Sequence, residues 1–136
     1  MGLDLGEKTL GVALSDALGM MAMPKETFTF KTAHYKHALE FVLNYIEKEQ
    51  ISTVVLGLPK NMDNSEGPRA QISRNFKAKL EAETTTPIVL WDERLTTKVA
   101  QDVLIAGGVR REKRKSHVDT MAATLILQNY LDATKN

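Results

Sequence analysis

The sequence predicts an α/β protein: three layers, with a five-stranded mixed sheet carrying helices on both faces. Two observations lead there. The first thirty residues break into short apolar or alternating runs separated by glycines, the pattern of a meander. From residue 33 onward, helix-period segments alternate with short, continuously apolar, strand-length ones. The resulting order, β-β-β-α-β-α-β-α-α, makes strands one, four and five parallel.

The strands of the meander are expected at residues 2–6, 10–15 and roughly 20–30, and Pro24 assigns the third to an edge. A helix is expected over 33–49, where Ala38, Phe41, Val42, Tyr45 and Ile46 recur at helical spacing. A buried-type strand at 53–58 leads into a polar loop through residue 67. Pro68 opens the next helix, because a proline in the first turn sacrifices no helical hydrogen bond. That helix should bury Ile72, Phe76 and Leu80. Residues 87–91 read as the last strand, and 96–106 as a helix ended by Gly107-Gly108. A basic loop then leads to a final helix with Val118, Met121, Ala122, Leu125 and Ile126 on one face.

At 136 residues the chain suits a single domain, 1–136. Hydrophobic content of 43% and charged content of 26% are those of an ordinary globular chain, which removes disordered and fibrous classes. Zero cysteines exclude disulfides and thiolate metal sites. No apolar run reaches the ~18 residues of a membrane span, and Asp4, Glu7 and Lys8 stand where a secretory signal would be apolar. A cytoplasmic location is the expectation. The formal charge is +1, yet Arg110, Arg111, Lys113, Arg114 and Lys115 cluster around the single acid Glu112. Such a concentrated run is either a contact for a polyanion or a solvated connector.

Three carboxylates stand out. Asp4 lies between Leu3 and Leu5, so alternation turns it to the face opposite those leucines. Inside a central strand a carboxylate is costly unless paired or metal-bound; on an edge it would simply face water. Asp92-Glu93-Arg94 leaves the last strand at its carboxyl end, where open α/β sheets gather ligands, although such residues are also ordinary before a helix. Asp119 is expected in the first turn of the final helix, a position an acid favours whatever its function. Ala122 and Ala123 follow it by three and four residues, small enough for close approach to the sheet, with Ala122 the stronger candidate for the contact. Together Asp4, Glu93 and Asp119 make an oxygen donor set suited to Mg²⁺ or Mn²⁺. Two such ions can activate water and steady the leaving oxygen of a phosphodiester.

Gly2-Leu3-Asp4-Leu5-Gly6 with Lys8-Thr9 and Gly11-Val12-Ala13, Gly57-Leu58-Pro59 with Glu66-Gly67-Pro68-Arg69, Asp92-Glu93-Arg94-Leu95-Thr96-Thr97, and Asp119 with Ala122-Ala123 stand in one order along the chain. In that order they resemble the YqgF family. The resemblance spans essentially the whole chain. It implies a ribonuclease H-like fold related to the RuvC resolvases. It also implies a nuclease for 5′ maturation of pre-16S ribosomal RNA, with resolution of Holliday junctions as the other assignment. The family's acidic positions fall on Asp4, Glu93 and Asp119. Asn64 stands where the family often has glycine, and asparagine tolerates the left-handed backbone that such a position asks for.

Among lesser candidates, Arg69 and Arg94 could each grip a phosphate with a bidentate fork, or pair with a neighbouring acid. Lys8 and Thr9 could touch substrate beside Asp4. Trp91 reads as core rather than as a base-stacking platform. His34 and His37 lack a third ligand nearby, and His117 reads as a surface residue. Two rivals remain. Asp4-Leu5-Gly6 before Lys8-Thr9 also resembles the first phosphate loop of actin-type ATPases, which need two such domains. A non-catalytic nucleic-acid-binding protein is the other.

Overall fold

In the computed structural model, residues 1–93 and 111–134 are described; for 111–119 only the helical backbone is. The five strands are β1 (Gly2–Leu5), β2 (Thr9–Ser15), β3 (Ala22–Thr29), β4 (Val54–Leu58) and β5 (Ile88–Asp92). The helices are α1 (Tyr35–Lys48), α2 (Pro68–Glu83) and α3 (Arg111–Thr134). The helix expected at 96–106 lies outside the described residues.

The sheet order is β3-β2-β1-β4-β5. The first three strands form the antiparallel meander, and β1, β4 and β5 are mutually parallel, as the sequence predicts. Pro24 sits on edge strand β3, registered with Ala13 of β2, where a residue that cannot donate a backbone hydrogen bond is tolerated. The register slips beside it, between Val12 and Ala13, as at a bulge.

Strand alternation sorts the core into two layers. Leu3, Leu5, Leu10, Val12, Val54, Leu56 and Ile88 meet Ala38, Val42 and Ile46 of α1 and Phe76 and Leu80 of α2. On the other face Ala13 and Val55 meet Ala123, Ile126 and Leu127 of α3. Helices therefore cover both faces. Two helical stripes differ from expectation. Ile72 is only half-buried, and Ser73 is turned inward instead, 1% exposed. On α3 the buried stripe is Ala122, Ala123, Ile126 and Leu127, with Met121 and Leu125 at its margin.

The start of α3 corrects a second expectation. The basic run is not a loop: Arg111, Lys113, Arg114 and Lys115 belong to the first turns of the helix. Arg, Lys and Glu are good helix formers, and nothing between 111 and 119 breaks a helix. Asp119 is consequently the ninth helical residue, well beyond the first turn, and the helix dipole does not account for its position.

Candidate active site

Asp4 is the third residue of β1, and the chain around it removes side chains from its face. Its antiparallel partner is Gly11. Continuing the parallel register past Leu3–Leu56 sets Gly57 of β4 on its other side. Glycine inside a buried strand costs stability and marks a close approach. At Gly57 the approaching group is Glu93: a Cβ there would collide with Glu93 Oε2 and stand 2.7 Å from Ile126 Cδ1.

Glu93 reaches this position because β5 ends at Asp92 and the next amide is still tied to the sheet, donating to the Leu58 carbonyl at 3.2 Å. Its carboxyl lies against Asp4. Burial, then the Asp4 charge and a hydrogen bond with Asp4, push it up to about 9, with Arg69 pulling the other way. Glu93 Oε2 is buried with no hydrogen-bond partner among the described residues. A buried, unsatisfied carboxylate oxygen beside a second carboxylate is costly by itself, and a hard divalent cation would satisfy both. The pair fits such an ion. Among the described residues no group of three His, Asp or Glu gathers as a metal cluster; the side chain of Asp119 lies outside them.

The backbone of α3 nevertheless fixes the level of position 119. Thr120 Oγ1 and Thr27 Oγ1 lie 2.8 Å apart. Thr27 is registered with Gly11, and Gly11 with Asp4. Further along, a Cβ at Gly2 would meet the Ala123 carbonyl at 2.6 Å and Leu127 Cβ at 2.7 Å. Position 119 is one turn before Ala123 on the same helical stripe, ~6 Å towards the helix start. Asp4 is two residues, ~7 Å, beyond Gly2 in that same direction. Both Ala122 and Ala123 are fully buried, and the approach at Gly2 is made by the Ala123 carbonyl. Gln128 fastens the far end, accepting from the Ala22 amide at 2.8 Å and donating to the Met20 carbonyl at 3.0 Å.

The basic candidates divide. Arg69, in the first turn of α2, is exposed and donates to the Leu5 carbonyl at 3.3 Å, at the mouth of the carboxylate pair. Lys8 is exposed in the turn after β1 and Thr9 half-buried at the start of β2; the turn closes with the Gly6 amide donating to the Thr9 carbonyl at 2.7 Å. Arg94 and Arg110 lie outside the described residues, as does His117's side chain. Arg111, Lys113, Arg114 and Lys115 stand on the turns of α3 that precede Thr120, Arg111 about 13 Å along the helix from it. Asn64 adopts φ 73°, the left-handed backbone expected of it. Trp91 is half-buried, packed edge-on to Tyr130 at the margin of the α3 core. Gly11 and Gly57 stand within the motifs read from the sequence, but their role as the strand neighbours flanking the acid is what sequence reasoning misses.

A family model described as "RuvX: Holliday junction resolvase" matches residues 1–133. Two curated proteins, from Geobacillus kaustophilus and Bacillus subtilis, carry the name "Putative pre-16S rRNA nuclease". The first is 48% identical over 99% of this chain and 98% of its own length. The second is 49% identical over 98% and 96%. Thermus thermophilus RuvC, solved with a Holliday junction substrate, superposes with a TM-score of 0.58 at 16% identity, covering 97% of this chain and 92% of that one. Fowlpox virus resolvase in complex with junction DNA gives 0.54 at 14% identity, covering 99% and 97%. The shared architecture is the α/β ribonuclease H-like fold.

Proposed function

This chain belongs to the RuvX family, and from that premise we propose that it is a metal-dependent endonuclease that hydrolyses phosphodiester bonds in 5′-end maturation of pre-16S ribosomal RNA. Its relatives' names support the substrate. The observation that carries the chemistry is the Glu93 carboxyl, held against Asp4 over a glycine floor, with one buried oxygen lacking a partner.

On this reading residues 1–136 act as one nuclease domain, and Asp4, Glu93 and Asp119 hold Mg²⁺ or Mn²⁺, most simply two ions. When bound, such ions supply an activated water and charge stabilisation for the leaving oxygen. Asp4 contributes rigidity, since its backbone is fixed between two neighbouring strands. Glu93 would have to be ionised to hold such a cation, so rising pH would favour binding. Arg69, already turned to the Leu5 carbonyl, grips a phosphate beside the carboxylates. Lys8 and Thr9 contact the strand from the adjoining turn. Arg94, Arg110, Arg111, Lys113, Arg114 and Lys115 hold the flanking backbone, and precursor ribosomal particles in the cytoplasm are the setting. No helix among the described residues is long and apolar enough to cross a membrane.

Resolution of branched DNA is the second reading, favoured by the family's description and by the junction-bound neighbours. Cleavage of labelled 5′-extended 16S precursor RNA beside a four-way DNA junction, under identical metal conditions, separates the two. Selective cutting of the precursor supports the RNA assignment; symmetric cutting of the junction alone replaces it. Tight binding of either without any cutting would indicate a non-catalytic binding protein.

A further inference from the structure

An open hollow of about 760 Å³ lies where β3 hands over to α1, lined by Thr29, Phe30, Lys31, His34 and His37. Its polar lining consists of a hydroxyl, an ammonium and two imidazoles, and no acid lines it. Glu26 and Glu40 are the nearest acids in sequence and Glu7 adjoins the corner through its carbonyl; all three are exposed and none lines the hollow. The two imidazole centroids are 6.0 Å apart, and no third ligand-type side chain joins them among the described residues. The donors therefore suit an anion better than a metal.

The hollow is built rather than incidental. The Phe30 amide donates to the Lys8 carbonyl and the Ala33 amide to the Glu7 carbonyl, both at 2.9 Å. These two bonds fasten the corner to the turn that follows Asp4. Ala33 holds a positive φ of 63°, a strained choice for a residue with a Cβ, kept in place by the second of those bonds. Behind the hollow, the first turn of α1 contains no acid, and its cap makes no side-chain hydrogen bond. The helix dipole thus adds to the positive potential of Lys31.

Position gives the corner its meaning. Thr29 is registered with Thr9, and β2 lies directly beside β1. The corner is thus at the same end of the sheet as Asp4, two strand spacings or about 10 Å to the side and about 7 Å further along the strands. It stands on the α1 side of the strand ends, whereas the basic turns of α3 rise on the other side. A strand crossing the carboxylates from α3 would arrive at the corner within a few nucleotides.

We propose that Lys31, His34 and His37 form a second docking point, which binds backbone phosphates of the substrate strand on the α1 side of the scissile bond. This deepens the nuclease reading and rests on it. The test is fluorescence anisotropy of wild type, Lys31→Ala, and the triple variant Lys31→Ala/His34→Ala/His37→Ala. The probes are labelled 5′-extended precursor RNA and a four-way DNA junction, at several salt concentrations. Lys48→Ala, at the far end of α1, controls for loss of one positive charge. All three substituted side chains of the triple variant are exposed, so the fold should persist, and a melting curve checks it.

The expected result is about a tenfold weaker Kd for the triple variant. The salt slope on single-stranded RNA should fall by ~0.7 for each phosphate that the variant no longer neutralises. Lys31→Arg should restore most of the affinity that Lys31→Ala removes, and Lys48→Ala should match wild type. If wild type binds tightly while the triple variant is unchanged in Kd and slope on both probes, the corner is not a docking point and the nuclease reading survives. Equal weakening by Lys48→Ala would likewise overturn it, showing only general charge. Should wild type bind neither probe, both the corner and the nuclease reading fall.

Discussion

Glu93 occupies the space that a side chain on Gly57 would need. The carboxylate oxygen lies where a Cβ would be built, with Ile126 of α3 closing in from above. Gly57→Ala must therefore displace Glu93 or lift α3. A displacement of ~1 Å can cost on the order of a hundredfold in rate. The variant should remain folded, lose about two orders of magnitude in cleavage, and bind Mn²⁺ more weakly by titration. Near wild-type cleavage would mean that the Glu93 position is not needed for chemistry.

A second expectation concerns pH. In the metal-free fold Glu93 titrates at about 9, against an ordinary 4.5. Between those values the folded state holds a proton that the unfolded chain has released. The stability this contributes is complete below pH 4.5 and is lost as pH rises through 9. In EDTA the wild-type melting midpoint should fall across this window, and Glu93→Gln should fall less and melt higher at the alkaline end. Parallel curves for the two proteins would contradict the burial of this carboxyl beside Asp4.

The seating of α3 is testable where it meets the sheet. Ala122 and Ala123 are fully buried, and Gly2 admits the Ala123 carbonyl. Ala122→Leu and Gly2→Ala should each overpack this interface at a cost of ~1–3 kcal/mol. Both should lose activity out of proportion to the fall in stability, because α3 carries Asp119. Ala122→Ser, close in size, is the control. A fully active and stable Ala122→Leu would mean that α3 is not seated this closely.

Replacing Arg110, Arg111, Lys113, Arg114 and Lys115 with Ala should weaken nucleic-acid binding with metal binding intact. Each phosphate released from a basic side chain should lower the salt slope by ~0.7–0.9. An unchanged slope would leave the run as solvated helix.

Much of the fold is legible in the sequence, and the failures have physical reasons. The meander and the inward turn of Asp4 follow from short alternating runs, and the parallel trio from the alternation of helical and strand-length segments. The start of α3 reads as a loop because charge density says nothing about conformation, and Arg, Lys and Glu serve a helix as well as a loop. Ser73 escapes notice because a buried hydroxyl leaves no trace in hydrophobic periodicity. The Thr27–Thr120 contact joins residues far apart in the chain, and the corner at Lys31, though built from neighbouring residues, is placed beside the site only by the register of three strands. Gly57 is visible within its motif, but its purpose appears only once Glu93 is seen above it.

The central claim is that Asp4, Glu93 and Asp119 together hold the catalytic cation. Its most direct test is single-turnover cleavage of labelled 5′-extended 16S precursor RNA in Mg²⁺ or Mn²⁺, with EDTA as the blank. Wild type is compared with Asp4→Asn, Glu93→Gln and Asp119→Asn. Wild type should cut only with metal, and each variant should fall at least a thousandfold, on the order of 4 kcal/mol in the barrier, while melting no lower than wild type in EDTA. Cleavage that survives the chelator, or any one variant cutting at close to the wild-type rate, would contradict it.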